Sequence, residues 1–80
     1  MKPINWNKTE QGIQTNLVFE NQTELAEFVL KLAQISDAMQ HHADMDIRYN
    51  KLYLNIFTYD KNAITEMDAA LCKEIEKLRY

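Results

Sequence analysis

The two histidines of this 80-residue chain, His41 and His42, are adjacent. Imidazole is the one side chain whose unperturbed pKa lies near neutrality, so a pair can give one proton and take another at the same pH. Neighbouring residues point in different directions along a helix or a strand, so both rings can reach one ligand only where regular structure breaks. The pattern around them predicts such a break: helical periodicity runs out near Met39 and two-residue alternation begins near Asp44. Carboxylates flank the pair. Asp37, about one helical turn before His41, is placed to orient or charge-stabilise an imidazole. His41, His42, Asp44 and Asp46 also combine donor types that bind divalent metals, although alternating carboxylates suit a solvent-facing strand edge as well. A plainer reading makes the histidines caps for the last carbonyls of a helix.

The elements that must position these residues follow from period and capping signals. Ile4–Asn7 reads as a short strand, with a polar turn at Lys8–Gln11 and Gly12 after it. A second strand, Ile13–Phe19, puts Ile13, Leu17 and Phe19 on one face. Asn21 is an N-cap, and Glu24 three residues later completes a capping-box pattern. Behind it Leu25, Phe28, Val29, Leu32, Ile35 and Met39 recur at three- and four-residue steps, which predicts an amphipathic helix over Gln22–Met39. From Asp44, Met45, Ile47 and Tyr49 alternate with polar residues, and Asn50–Lys51 reads as a tight hairpin connection. The next strand sets Leu52, Leu54, Ile56 and Thr58 against Tyr53, Asn55, Phe57 and Tyr59; the first set is core, and the second leaves an aromatic stripe on an open face. Thr65 with Asp68 opens a second helix, Glu66–Arg79, whose buried side is Met67, Leu71, Ile75 and Leu78. Strand, strand, helix, strand, strand, helix is the order of an α+β fold, a four-stranded antiparallel sheet with both helices on one face.

Composition limits the function classes. Eighty residues make one domain, residues 1–80. Hydrophobic residues form 46% of the chain, a globular proportion, and its net charge is −3 with no basic stripe, which argues against direct contact with nucleic acid. A single cysteine excludes an internal disulfide and a Cys-based zinc site. No apolar run approaches a membrane span and the start lacks a signal-peptide apolar region, so the expectation is a reduced, cytoplasmic protein with no membrane role. So short a chain with an exposed aromatic stripe is expected to bury more surface as a homodimer or homotetramer.

The ordered landmarks resemble the pterin-4a-carbinolamine dehydratase family. They are Asp37, His41-His42-Ala43, Tyr49-Asn50-Lys51, the alternating Leu52, Leu54 and Ile56, Thr58-Tyr59-Asp60, and Ile64-Thr65 leading to Asp68, with Trp6 upstream. The spacing is ungapped from Asp37 to Asp68. The resemblance implies a hydro-lyase that removes water from a 4a-hydroxytetrahydropterin to leave a quinonoid dihydropterin, needing neither metal nor organic cofactor. It implies His41, His42 and Asp37 as catalytic residues and Trp6, Tyr59 and Asp60 as contacts to the pterin. One histidine would protonate the departing hydroxyl and the other would accept the proton of the neighbouring ring nitrogen, in either order.

This chain departs from the family pattern at several positions. Ala43 stands for the proline after the histidines, Met45 for an aromatic residue, Ala63 for the loop glycine, and Tyr59 for a third active-site histidine. The family's leading helix is largely absent. A phenol, with its unperturbed pKa near 10, still donates a hydrogen bond but shuttles protons poorly at neutral pH. The alternative expectation is therefore a catalytically silent relative that serves as a dimeric protein-binding module, a role that other members of the family fill.

Overall fold

The computed structural model describes residues 3–78. Four antiparallel strands form one sheet in the order β1-β2-β4-β3: β1 (Asn7–Thr9), β2 (Gly12–Val18), β3 (Asp44–Arg48) and β4 (Lys51–Ile56). Helix α1 (Gln22–Met39) and helix α2 (Glu66–Glu76) cover one face. Between the layers Leu17, Leu52, Leu54 and Ile56 meet Leu25, Phe28 and Leu32 of α1 and Leu71, Cys72 and Ile75 of α2, all buried. Phe19 at the end of β2 packs on Phe28 with ring centroids 5.2 Å apart, which ties the first strand pair to α1. This is the expected α+β arrangement. No helix among the described residues is long and apolar enough to cross a membrane.

Helix α1 has the expected bounds. Its Asn21 cap accepts from the Glu24 N–H at 2.9 Å, the first half of a capping box. Other boundaries differ, each for a local reason. The first strand is Asn7–Thr9 rather than Ile4–Asn7: Lys8 and Thr9, expected in the turn, pair with Ile13 and Gly12, while upstream the Asn5 carbonyl accepts the Thr15 hydroxyl at 2.8 Å instead of joining the ladder. Ile4 and Trp6 still pack against the core. The β3–β4 turn is Tyr49–Asn50, one residue earlier than expected, with Arg48 paired to Lys51. Asn50 holds it: its side-chain amide donates to the Phe19 carbonyl at 2.8 Å and its own carbonyl accepts the Phe19 N–H at 2.9 Å.

Strand β4 stops at Ile56, and the Thr58 and Ala63 backbones pair across a small loop containing a single 3-10 turn, Tyr59–Lys61. The expected aromatic residues stay together on the open face, although unequally exposed: Phe57 is buried, Tyr53 half-buried, and Tyr59 sits exposed on the loop after the strand. Met67 is 40% exposed because the buried face of α2 runs Asp68, Leu71, Cys72 and Ile75, about a hundred degrees around from Met67. The second helix ends at Glu76, earlier than expected; Arg79 lies outside the described residues.

A carboxylate in that buried face decides how α2 begins. Asp68 is fully buried. Its Oδ2 accepts the Thr65 N–H at 2.7 Å and the Thr58 hydroxyl at 2.8 Å, and its Oδ1 lies 2.6 Å from His41 Nε2. Thr58 Oγ1 is also 2.7 Å from Thr65 Oγ1. Since the single Thr58 proton goes to the carboxylate, Thr65 is the donor to Thr58. Burial alone would raise the Asp68 pKa, but the Thr65, His41 and Thr58 hydrogen bonds outweigh it and hold the carboxyl below its ordinary value.

Two stability tests follow from this packing. Gly12 has φ +144°, and a Cβ there would fall 2.3 Å from Asn55 Oδ1, so Gly12→Ala is expected to cost about 1–3 kcal/mol in urea unfolding. Asp68→Asn is expected to cost about 2–4 kcal/mol at neutral pH through the lost cap and buried charged hydrogen bonds. Because the native carboxyl titrates below its unfolded value, its contribution is complete above that unfolded value and disappears as pH falls through the native one. The gap between the parent and Asp68→Asn should therefore narrow in acid. An equal gap at neutral pH and at about pH 3 would show that the ionised form of Asp68 is not what stabilises the fold.

Candidate active site

The break that carries the histidines is built by the end of α1. Gln40 adopts the left-handed conformation (φ 54°, ψ 40°), its N–H returns to the Asp37 carbonyl at 3.2 Å, and the His41 N–H returns to the Ser36 carbonyl at 3.0 Å. This is the paired closure of a Schellman motif, with glutamine where glycine is common. The chain leaves the helix at once, and β3 starts three residues after His41.

The two imidazoles then turn to different carboxylates. His41 points inward to Asp68, with 12% of its side chain exposed against none for the aspartate. His42 points outward, its Nε2 2.8 Å from Asp37 Oδ1, with 60% of the imidazole and 76% of the aspartate side chain exposed. Facing an ionised carboxylate, each Nε2 is a donor, which leaves Nδ1 as the acceptor nitrogen of a neutral ring. The structure thus brings Asp37 to His42, and recruits Asp68, which sequence reasoning placed only as a helix cap. The signal for it was present: Asp68 stands last in the spaced landmarks, on the buried stripe of α2. A carboxylate on a buried stripe requires a partner.

Tyr59 is joined to this cluster through the chain, since it follows Thr58, an Asp68 ligand. Its exposed phenol donates to the carboxylate of Asp44, two residues after His42, and its ring meets Phe57 edge-on at 5.1 Å. The hydrogen bond to Asp44 first, then burial and the charge of Asp44, raise the phenol's pKa above its ordinary value, with a hydrogen bond from Asn55 acting the other way. Asp60 is exposed in the 3-10 turn.

Trp6 is elsewhere. Its indole donates to Glu76 Oε2 at 2.8 Å, at the far end of α2. Eight residues of helix separate Glu76 from Asp68, a distance of about 12 Å. Nor do His41, His42, Asp44 and Asp46 assemble as metal ligands. No group of three or more such side chains among the described residues is arranged to hold a metal ion. Cys72 is buried in the core, and burial, with Glu76 and Asp68 nearby, pushes its thiol up to about 11, far from a working nucleophile.

Comparison with known proteins gives a consistent result. The family model described as pterin 4 alpha carbinolamine dehydratase matches residues 1–78. Two relatives provisionally named pterin-4-alpha-carbinolamine dehydratases are similar over nearly the whole chain. One, from Picosynechococcus sp., is 36% identical over 73 residues, 91% of this chain and 79% of its own length. Another, from Sulfolobus acidocaldarius, is 34% identical over 74 residues, 92% of this chain and 81% of its own. Among solved structures, the transcriptional coactivator/pterin dehydratase from Brucella melitensis superposes with a TM-score of 0.84, covering 90% of this chain and 79% of that one at 20% identity, which supports the fold. With the family model spanning the histidine turn, the Thr58–Asp68 loop and both helices, this chain belongs to the pterin 4 alpha carbinolamine dehydratase family.

Proposed function

We propose that the protein dehydrates a 4a-hydroxytetrahydropterin by general acid–base catalysis at His41 and His42. The observation that carries this reading is that each adjacent imidazole has its own carboxylate, one pair buried and one exposed. In the reaction the C4a–oxygen bond breaks as the hydroxyl receives a proton and leaves as water. The proton on the neighbouring ring nitrogen is removed, and its bonding electrons form the C=N bond of the quinonoid product. Atoms balance with two proton transfers. The exposed His42 is the ring that meets substrate, with Asp37 orienting it. His41, held by Asp68, fixes the turn and supplies the second imidazole. Tyr59 contributes a hydrogen bond only, since Asp44 keeps its phenol protonated, and Asp60 borders the same loop.

A second reading, a catalytically silent module that binds another protein, draws support from Tyr59, whose phenol occupies the position of a family imidazole and is engaged by Asp44. The two readings part on mutation. In the first, His42→Ala and His41→Ala each lower the dehydration rate on the order of 100-fold, and Tyr59→His raises it by restoring a group that titrates near neutrality. An active parent indifferent to both histidine changes would remove the mechanism. A parent without turnover would move the assignment to the binding module.

The protein is also proposed to work as a homo-oligomer through β3, an edge strand of the sheet. Ile47 is 44% exposed there, beside a concavity of about 350 Å³ lined by Leu25, Ala26 and Val29. Antiparallel pairing of two β3 strands about an axis through Ile47 would set each Asp46 opposite an Arg48, an opposite-charge pair on the open face. Sedimentation at high micromolar concentration is expected to give a dimer or larger species, and Ile47→Asp a monomer. A monomeric parent would contradict this arrangement.

A further inference from the structure

The open face of the sheet, away from the helices, carries a second feature beside the histidine turn. Asn7, Gln14, Asn55 and Asp44 lie in register across the four strands. Beside this row is an open cavity of about 480 Å³ whose walls include Glu10, Asp44, Tyr53, Asn55, Phe57 and Tyr59. That volume is in the range of small-molecule sites. Its described lining holds two carboxylates, several amides and three aromatic rings, with no lysine, arginine or histidine.

The cavity adjoins the histidines through two short connections. Only Ala43 lies between His42 and Asp44, so their Cα atoms are no more than about 7 Å apart. Tyr59 follows Thr58, which hydrogen-bonds the Asp68 carboxylate that holds His41. A substrate that reaches from the histidine turn into this cavity meets Asp44 and Tyr59, the wall residues tied to that turn. There it finds a fixed negative charge with no cation in the wall to offset it. It also finds a phenol whose direction Asp44 sets.

Building on the dehydratase reading, we infer that Asp44 and Tyr59 are a specificity pair, selecting pterins whose substituent is neutral and hydrogen-bonding and rejecting those whose substituent is anionic. The division of labour is physical. Asp44, with Glu10 across the cavity, supplies repulsion against a carboxylate or phosphate, which acts over several ångströms. Tyr59 supplies a directional contact, and its ring with Phe57 supplies a flat apolar wall. Asp44 is thus a positioning residue toward Tyr59 and a discriminating residue toward the ligand.

The test uses two fluorescent pterins that differ in one substituent, hydroxymethylpterin and carboxypterin, titrated into the full chain at neutral pH beside a dehydration assay. The parent is expected to bind hydroxymethylpterin about tenfold more tightly. Asp44→Asn should reduce that preference severalfold, Glu10→Gln should reduce it less, and both reductions should fade as salt is added to the parent. Tyr59→Phe should weaken hydroxymethylpterin, whose hydroxyl can donate to the phenol oxygen, and leave carboxypterin, which has no such proton, little changed, a split that loss of folding would not produce. If the parent dehydrates its substrate but binds both pterins alike, or if Asp44→Asn and Glu10→Gln both keep the preference, the specificity pair is overturned and the dehydratase reading survives. If neither pterin binds and no dehydration occurs, both are overturned together.

Discussion

A single buried carboxylate holds the functional half of this molecule together. Asp68 receives donors from three places: the Thr65 cap of its own helix, Thr58 at the exit of β4, and His41 at the exit of α1. An ionised group in the core is unfavourable unless its oxygens are occupied, and here each has a strong donor. The consequence reaches beyond α2. The Thr58–Ala63 loop, which carries Tyr59, and the turn, which carries both histidines, are pinned to the same point. The capping box that starts a helix is therefore also the junction that assembles the site.

The end of α1 does the complementary work. A helix that continued past Met39 would have spread His41 and His42 about a hundred degrees apart. Closure at Gln40 instead sends one ring inward and leaves the other outside. The left-handed backbone at a glutamine costs on the order of 1 kcal/mol relative to glycine. The His41–Asp68 hydrogen bond lies one residue beyond it and offsets that cost. Local strain and tertiary contact are placed side by side, as is common where a fold must present polar groups at a defined angle.

Much of this was legible in the residues. The bounds of α1 follow from Asn21 and an unbroken apolar stripe, and the core set Leu52, Leu54 and Ile56 follows from strict alternation. Two of the misplacements share one cause, a side chain that captures a backbone group. Thr15 takes the Asn5 carbonyl, so β1 forms later in the chain, at Asn7–Thr9, and Asn50 takes the Phe19 carbonyl and fixes the turn one residue earlier. Period and propensity carry no record of such long-range bonds, which span 10 and 31 residues. The site divides in the same way. His41, His42, Asp37 and Tyr59 were visible as residue types in a spaced pattern. The pairing of His42 rather than His41 with Asp37, the buried role of Asp68, and the distance of Trp6 from the histidines all depend on three-dimensional closure.

The substitution of tyrosine for a histidine at position 59 gains a physical meaning in this frame. An imidazole there would stand near Asp44 as a group able to change charge at neutral pH. The phenol cannot, and Asp44 opposes its ionisation further by accepting its proton in a hydrogen bond. The phenol therefore stays neutral across the pH range in which imidazoles titrate. Of the two histidines of the turn, the buried one is hydrogen-bonded to the carboxylate that also caps α2, so its position is coupled to the start of that helix. The exposed ring has no such tie, since its carboxylate partner is itself mostly in solvent. The turn thus separates an imidazole open to solvent from the one whose geometry maintains the turn.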